Sequence, residues 1–169
     1  SNSVTLNINS FVIDTTAPTV SSISPTDNQS GVSISTNISV TFSESIDNTS
    51  VTTNTSDTSC SGTLQVSSNN FSSCVQISSS PSVTNSTKMF TVDPTDNLSH
   101  SNTYKIRVKT AVKDSAGNTL SSQYESANGF TTKYWTQLLG TTANDNGFDV
   151  IVDSSGNIYV TGETYGGLD

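Results

Sequence analysis

The chain has little of what catalysis and nucleic-acid binding usually draw on. His100 is the single histidine among 169 residues. Imidazole-based triads and histidine-rich zinc sites therefore have almost no material. His100 itself lies in Asn97-Leu98-Ser99-His100-Ser101-Asn102, a polar stretch that reads as an exposed turn. Six Lys and Arg stand against fourteen Asp and Glu, a net charge of −8. That balance repels nucleic-acid backbones and anionic membranes, which need clustered basic groups. No apolar run is long enough to span a bilayer. Gly-x-Ser-x-Gly elbows, phosphate loops and dinucleotide fingerprints are missing as well. These absences point away from an enzyme.

Hydrophobic residues make up 31% and charged residues 12%, both below the usual globular share. Ser and Thr fill the gap at roughly a third of the chain. Low hydrophobicity can mean disorder, but disorder also wants high charge and no periodicity. Here the apolar residues are few and regularly placed. Tyr104, Ile106 and Val108 alternate with Lys105, Arg107 and Lys109, which puts the two sets on opposite faces of a strand. Asp114-Ser115-Ala116-Gly117-Asn118 then supplies a turn, with Gly117 free to take a left-handed conformation. The same punctuation returns at Asp153-Ser154-Ser155-Gly156-Asn157.

Strand signals run through the chain. Val20 and Ile23 precede the Pro25-Thr26-Asp27-Asn28 turn; Val32 and Ile34 follow, then Ile38, Val40 and Phe42 in clean period two. Phe90 and Val92 mark another strand, the Tyr104 strand comes next, and Gly129-Phe130-Thr131-Thr132 is the last of this series. About seven short strands with turn signals every ten or so residues predict a β-sandwich. Val4 to Ile13 reads as the last strand of a preceding domain, joined through Asp14-Thr15-Thr16-Ala17-Pro18. Beyond Lys133 the texture changes. Phe148–Asp153 and Asn157–Gly162 are apolar on both faces, as in strands packed between neighbours. A module this short wants copies of itself stacked alongside.

Cys60 and Cys74 bracket Leu64 and Val66, an Asn69-Asn70 turn, and the approach to Val75 and Ile77. A hairpin here would bring the two sulfurs together, and a disulfide implies an oxidising compartment such as a periplasm or cell surface.

Two family resemblances cover most of the chain. Residues 14–132 resemble a bacterial immunoglobulin-like domain of the S-layer and surface-protein type. The matching pieces are Asp14–Pro18, Ile38-Ser39-Val40-Thr41-Phe42-Ser43-Glu44, Thr103-Tyr104-Lys105-Ile106, Asp114–Asn118 and Phe130-Thr131-Thr132. Ser45 and Ile46 replace the usual small residue and methionine after the early Glu, and the cysteine hairpin is an embellishment. Residues 134–169 resemble the bacterial β-propeller repeat known as SBBP, through Trp135–Gly140, Asn144-Asp145-Asn146-Gly147 and Val152–Gly162. The resemblance implies an exported bacterial protein, placed at the outer surface, outside the cell or in the periplasm. Its duty would be structural or binding, its neighbours other domains of the same chain, and it carries no known chemistry.

Two ligand sites compete with a purely structural reading. Asp145, Asp149 and Asp153 with Asn144 and Asn146 offer oxygen ligands at short spacing, which Ca²⁺ accepts. Asp114 with Asn118 offers a weaker pair, and such side chains usually bond their own backbone. Lys105, Arg107 and Lys109, with Lys113 beyond, form a basic stripe in an acidic chain. Such a stripe guards an edge or pairs with acids; the alternative is recognition of a glycan or a host matrix protein. The sequence therefore reads as an all-β protein. Residues 1–13 are a linker, 14–132 an Ig-like Greek-key β-sandwich, and 133–169 an incomplete β-propeller blade. Ile38, Val40, Phe42, Phe90, Val92, Tyr104, Ile106 and Val108 form the predicted core. The expected function is a non-catalytic surface spacer or stalk, with no catalytic residues and no cofactor, and calcium as the one candidate ion.

Overall fold

Alternation in Ile38–Phe42 becomes a strand with Ile38, Val40 and Phe42 buried and Ser39 and Thr41 facing outward. The computed structural model describes residues 13–134, 145–152 and 158–164; these contain strands and one 3₁₀ turn, and no α-helix. The chain divides into two units, the first ending at Tyr134. In the first unit, β1 (Val20–Ser24), β2 (Ile38–Phe42), β4 (Ser82–Thr84) and β5 (Met89–Val92) form an antiparallel sheet in the order β1-β2-β5-β4. The second sheet is built around β6 (Thr103–Val108), which pairs with β3 (Leu64–Ser67), β7 (Tyr124–Glu125) and β8 (Phe130–Thr131).

The inward faces of both sheets meet in one apolar cluster, which makes the unit a sandwich. All eight predicted core residues are buried within it. Phe42 meets Phe90 edge-on with centroids 5.8 Å apart, and Tyr104 stacks on Phe130 at the same separation. Each large side chain buried this completely contributes on the order of 1.5–3 kcal/mol. Residues outside the strands complete the core: Ile46, Val51, Ile77, Leu98, Val112 and Leu120 are buried in loops. Ile46, one of the departures from the family pattern, is among them.

The cysteine segment differs from the expected hairpin. β3 is the first arm, but no second strand forms. Val75 donates one backbone bond to Val66, and Ile77 bridges to Pro94 instead. The reason lies on the outer face of β3, where Gln65 and Ser67 are buried although they alternate with Leu64 and Val66. Gln65 Nε2 donates to the carbonyls of Cys60 (2.6 Å) and Gly62 (3.2 Å). Ser67 Oγ donates to the Ser73 carbonyl and accepts from Phe71 N. These bonds wrap the segment over the strand, and the Cys60–Cys74 disulfide closes it with Cα atoms 5.0 Å apart. Val32 and Ile34 also make no full strand: Val32 forms a single parallel bridge to Thr132.

In the second unit, β9 (Asp145–Val152) and β10 (Ile158–Thr164) pair antiparallel with Val150 opposite Val160. Among the described side chains here, Phe148, Val150, Ile151, Tyr159 and Val160 are 49–65% exposed. The strands predicted at Val4–Ile8 and around Trp135 lie outside the described residues.

Two perturbations probe this architecture. Reducing the disulfide should lower unfolding stability by about 3 kcal/mol in urea titration, the loop-closure value for a loop of this size. Gly129 has φ +80°, and a Cβ there would collide with the Tyr104 carbonyl. Gly129→Ala should cost about 3 kcal/mol in the same titration.

Candidate functional site

The Asp114 turn closes on itself. Asp114 Oδ1 accepts from Ala116 N (2.9 Å) and Asn118 N (2.8 Å), and Oδ2 accepts from Asn118 Nδ2 (2.7 Å). Gly117 takes φ +95°, as the turn chemistry requires. Asn118 Nδ2 also donates to the Asp14 carbonyl, fastening the incoming chain to this turn across 104 positions of sequence. Asp114 bridges to Ile46, and Ser115 N reaches the Ser45 carbonyl. The result places Asp14, Glu44 and Asp114 together, with carboxylate oxygens within 4.8 Å of one another. Along the sequence these three are separate parts of a family pattern; only folding makes them neighbours.

Their protonation is set by different causes. Burial raises the pKa of Glu44, the charges of Asp14 and Asp114 raise it further, and Lys88 opposes them. Burial also pushes Asp114 upward, but hydrogen bonds from Asn118, Ala116 and Gly117 outweigh it and hold the carboxyl below its ordinary value. Lys88 lines an open groove with Asp14, Glu44 and Ser45, and donates through Nζ to the Ser43 carbonyl at 3.3 Å. The groove thus carries its own cation.

The predicted basic stripe lies on the outer face of β6 and is engaged by the protein itself. Arg107 stands opposite Glu125, whose Oε2 accepts from its Nε and Nη2, both at 3.1 Å. On its other side the guanidinium sits 3.5 Å from the Phe71 ring centroid, a cation–π contact. Lys105 Nζ lies 3.8 Å from Glu125, and Lys109 Nζ donates to the Cys60 carbonyl at 3.4 Å. Lys105 and Arg107 thus share one acid, Glu125, while Lys109 reaches a backbone carbonyl. Glu125 and Phe71 escape sequence reading because neither is near β6 in the chain.

The calcium candidates in the second unit are only partly described. Asp149 Oδ1 accepts from Val150 N at 2.9 Å. Asp153 and the side chain of Asp145 lie outside the described residues. At the opposite end of β6 from Asp114, His100 Nδ1 lies 3.3 Å from the Lys133 carbonyl, beside the outgoing chain.

The family description "Bacterial Ig-like domain" matches residues 14–132. The chain belongs to that family, and a β-propeller repeat matches residues 135–169 after it. Among solved structures, the S-layer protein rSbsC(31-844) is similar at 21% identity and a TM-score of 0.48, over 85% of this chain and 19% of that one. SbsC domains 1–6 give the same identity and TM-score over 86% and 19%, and the N-terminal part of SbsC does so over 85% and 32%. The chain therefore spans 19–32% of the length of those chains. No curated protein matches it.

The opposing pKa directions give opposite pH effects. Asp114 is lowered, so its contribution to stability is present above the ordinary carboxylate pKa and is lost as pH falls through its folded value. Glu44 is raised, so its ionised form works against folding at neutral pH. Glu44→Gln should raise the Tm modestly at pH 7, and the gain should fade as pH falls through the carboxylate range. Thermal melts of both proteins across pH 3–7 measure the crossover.

Proposed function

We propose that this chain is a non-catalytic structural module of a bacterial surface protein: a spacer that holds its flanking segments apart. The observation that carries this reading is where the chain comes in and goes out. Asp14 is tied to Asn118, past the Val108 end of β6, and Thr19 exchanges bonds with Ser43 just beyond the Phe42 end of β2. Thr131 pairs with Thr103 at the other end of β6, and Lys133 bonds to Val32. The incoming and outgoing segments thus lie at opposite ends of a six-residue strand, a separation of at least about 17 Å. A domain threaded end to end adds length when placed in series.

Membership in the bacterial Ig-like family and the adjoining propeller repeat support a surface role. The disulfide supports an oxidising location, outside the cell or in the periplasm. Hydroxyls cover the outward positions of the first sheet: Ser39 pairs with Thr91 at 2.7 Å, and Ser21 bonds the Thr41 carbonyl. Such a face stays soluble without charge. The described groove residues and the internally paired stripe add no catalytic arrangement to this picture.

Spin labels at Thr16 and Lys133 of the intact chain should report one narrow distance that millimolar calcium leaves unchanged. A broad or calcium-dependent distribution would remove the spacer reading. On an array of glycans and matrix proteins the chain should show no saturable binding. Saturable binding that disappears when Lys105, Arg107 and Lys109 are neutralised would instead make this a recognition module.

A further inference from the structure

We infer that the outgoing strand of the sandwich is a clasp built to carry tension along the chain. This rests on the spacer reading, because a module held in series between other domains transmits whatever pull acts on them.

Residues 128–133 are held from two sides. On one side lies the stretch after β1. Asn28 N donates to the Gly129 carbonyl (2.7 Å), Thr131 N to Gln29 (2.7 Å), Val32 N to Thr131 (3.1 Å) and Lys133 N to Val32 (2.8 Å). Both partners advance together, and Val32 and Thr132 form a parallel bridge. On the other side β8 pairs antiparallel with the start of β6, and Thr132 N donates to the Asn102 carbonyl at 2.9 Å. The outgoing strand is therefore clasped along both edges.

Direction of load decides what this clasp does. The upstream chain leaves the unit at one end of β6 and the downstream chain at the other. Tension between them pulls Lys133 along the strand's own axis while the 27–32 stretch is drawn the opposite way. Parallel neighbours pulled from opposite ends slide past one another. All of their cross-strand bonds are then strained sideways at once, whereas an end-peeled hairpin loses its bonds one at a time. Breaking several bonds of about 1 kcal/mol each in a single event is slow.

Asp27 locks the start of the clasp. Its Oδ1 accepts from Asn128 N (3.0 Å) and Gly129 N (2.6 Å). These bonds reach across 101 and 102 positions of sequence and fix the register before the first backbone pair. Gly129 fits because its missing Cβ lets the chain lie against the Tyr104 carbonyl at φ +80°. The carboxylate satisfies two backbone N–H groups, and under load it sits at the end where slippage would begin.

Single-molecule stretching of the intact chain, held by its two ends at constant force, tests the inference. The sandwich should unfold in one length step, apart from any step of the second unit. Asp27→Ala should shorten its lifetime under load by about tenfold. Asp27→Asn keeps an acceptor oxygen and should recover most of the loss. Ser39→Ala removes the Ser39–Thr91 bond in the other sheet and should change the lifetime less than about twofold, even where melting shows comparable destabilisation. Equal effects of Asp27→Ala and Ser39→Ala would overturn the clasp. So would a first step that releases β1 and the residues before it while the 27–32 stretch and the outgoing strand stay paired. A specific ligand found on the binding array would remove the spacer reading and leave the stretching result to stand separately.

Discussion

Everything in the sandwich depends on two sheets sharing one narrow apolar layer. With hydrophobic residues at 31% of the chain, the buried apolar side chains described in this unit gather into that one layer. Ile38, Val40 and Phe90 from one sheet and Ile106, Val108 and Phe130 from the other are almost wholly removed from water. The loops must contribute as well, and Ile46, Ile77, Val112 and Leu120 do so. Losing any one of these would leave a cavity that the surrounding Ser and Thr cannot fill without burying an unpaired hydroxyl.

Hydroxyls and amides then do locally what apolar burial cannot. Asp114 satisfies its turn with three bonds, Asp47 accepts from Thr49, Asp57 accepts from Ser59, and Ser67 organises the loop under the disulfide. Each is a side chain serving backbone groups that no strand reaches. This is how a segment so rich in Ser and Thr builds a sandwich. The same chemistry holds its polar clusters in place. The carboxylates at Asp14, Glu44 and Asp114 gather where the incoming chain is fastened, and Arg107 is held between Glu125 and Phe71.

The fold was more legible than the sites because the two are written at different ranges. Period two reports which face of a strand a residue occupies, and that needs only local geometry, so the β6 and β2 cores could be read directly. The fate of Lys105 and Arg107 could not. Their partner Glu125 is 18 positions beyond Arg107 and meets it through the β6–β7 register, which no local pattern encodes. The cysteine segment shows the opposite failure. Alternation at Val75 and Ile77 suggested a second arm, but Gln65 and Ser67 recruited the loop as a cover for β3, and tertiary bonding overrode the pattern.

By itself the sequence determined an all-β sandwich with alternating cores, tight turns at Gly117 and the Asp114 carboxylate, a closed cysteine loop and a change of texture after Lys133. Those features arise from backbone pleating and turn chemistry, which act over a few residues. Tertiary structure alone decided that Asp27 grips Asn128 and Gly129, that Asp14 meets Asn118, and that the two ends of the sandwich face opposite ways along β6. Such contacts join residues about a hundred positions apart. Their identity depends on which strands pair and in what register, and that is settled only when both sheets close on their common core.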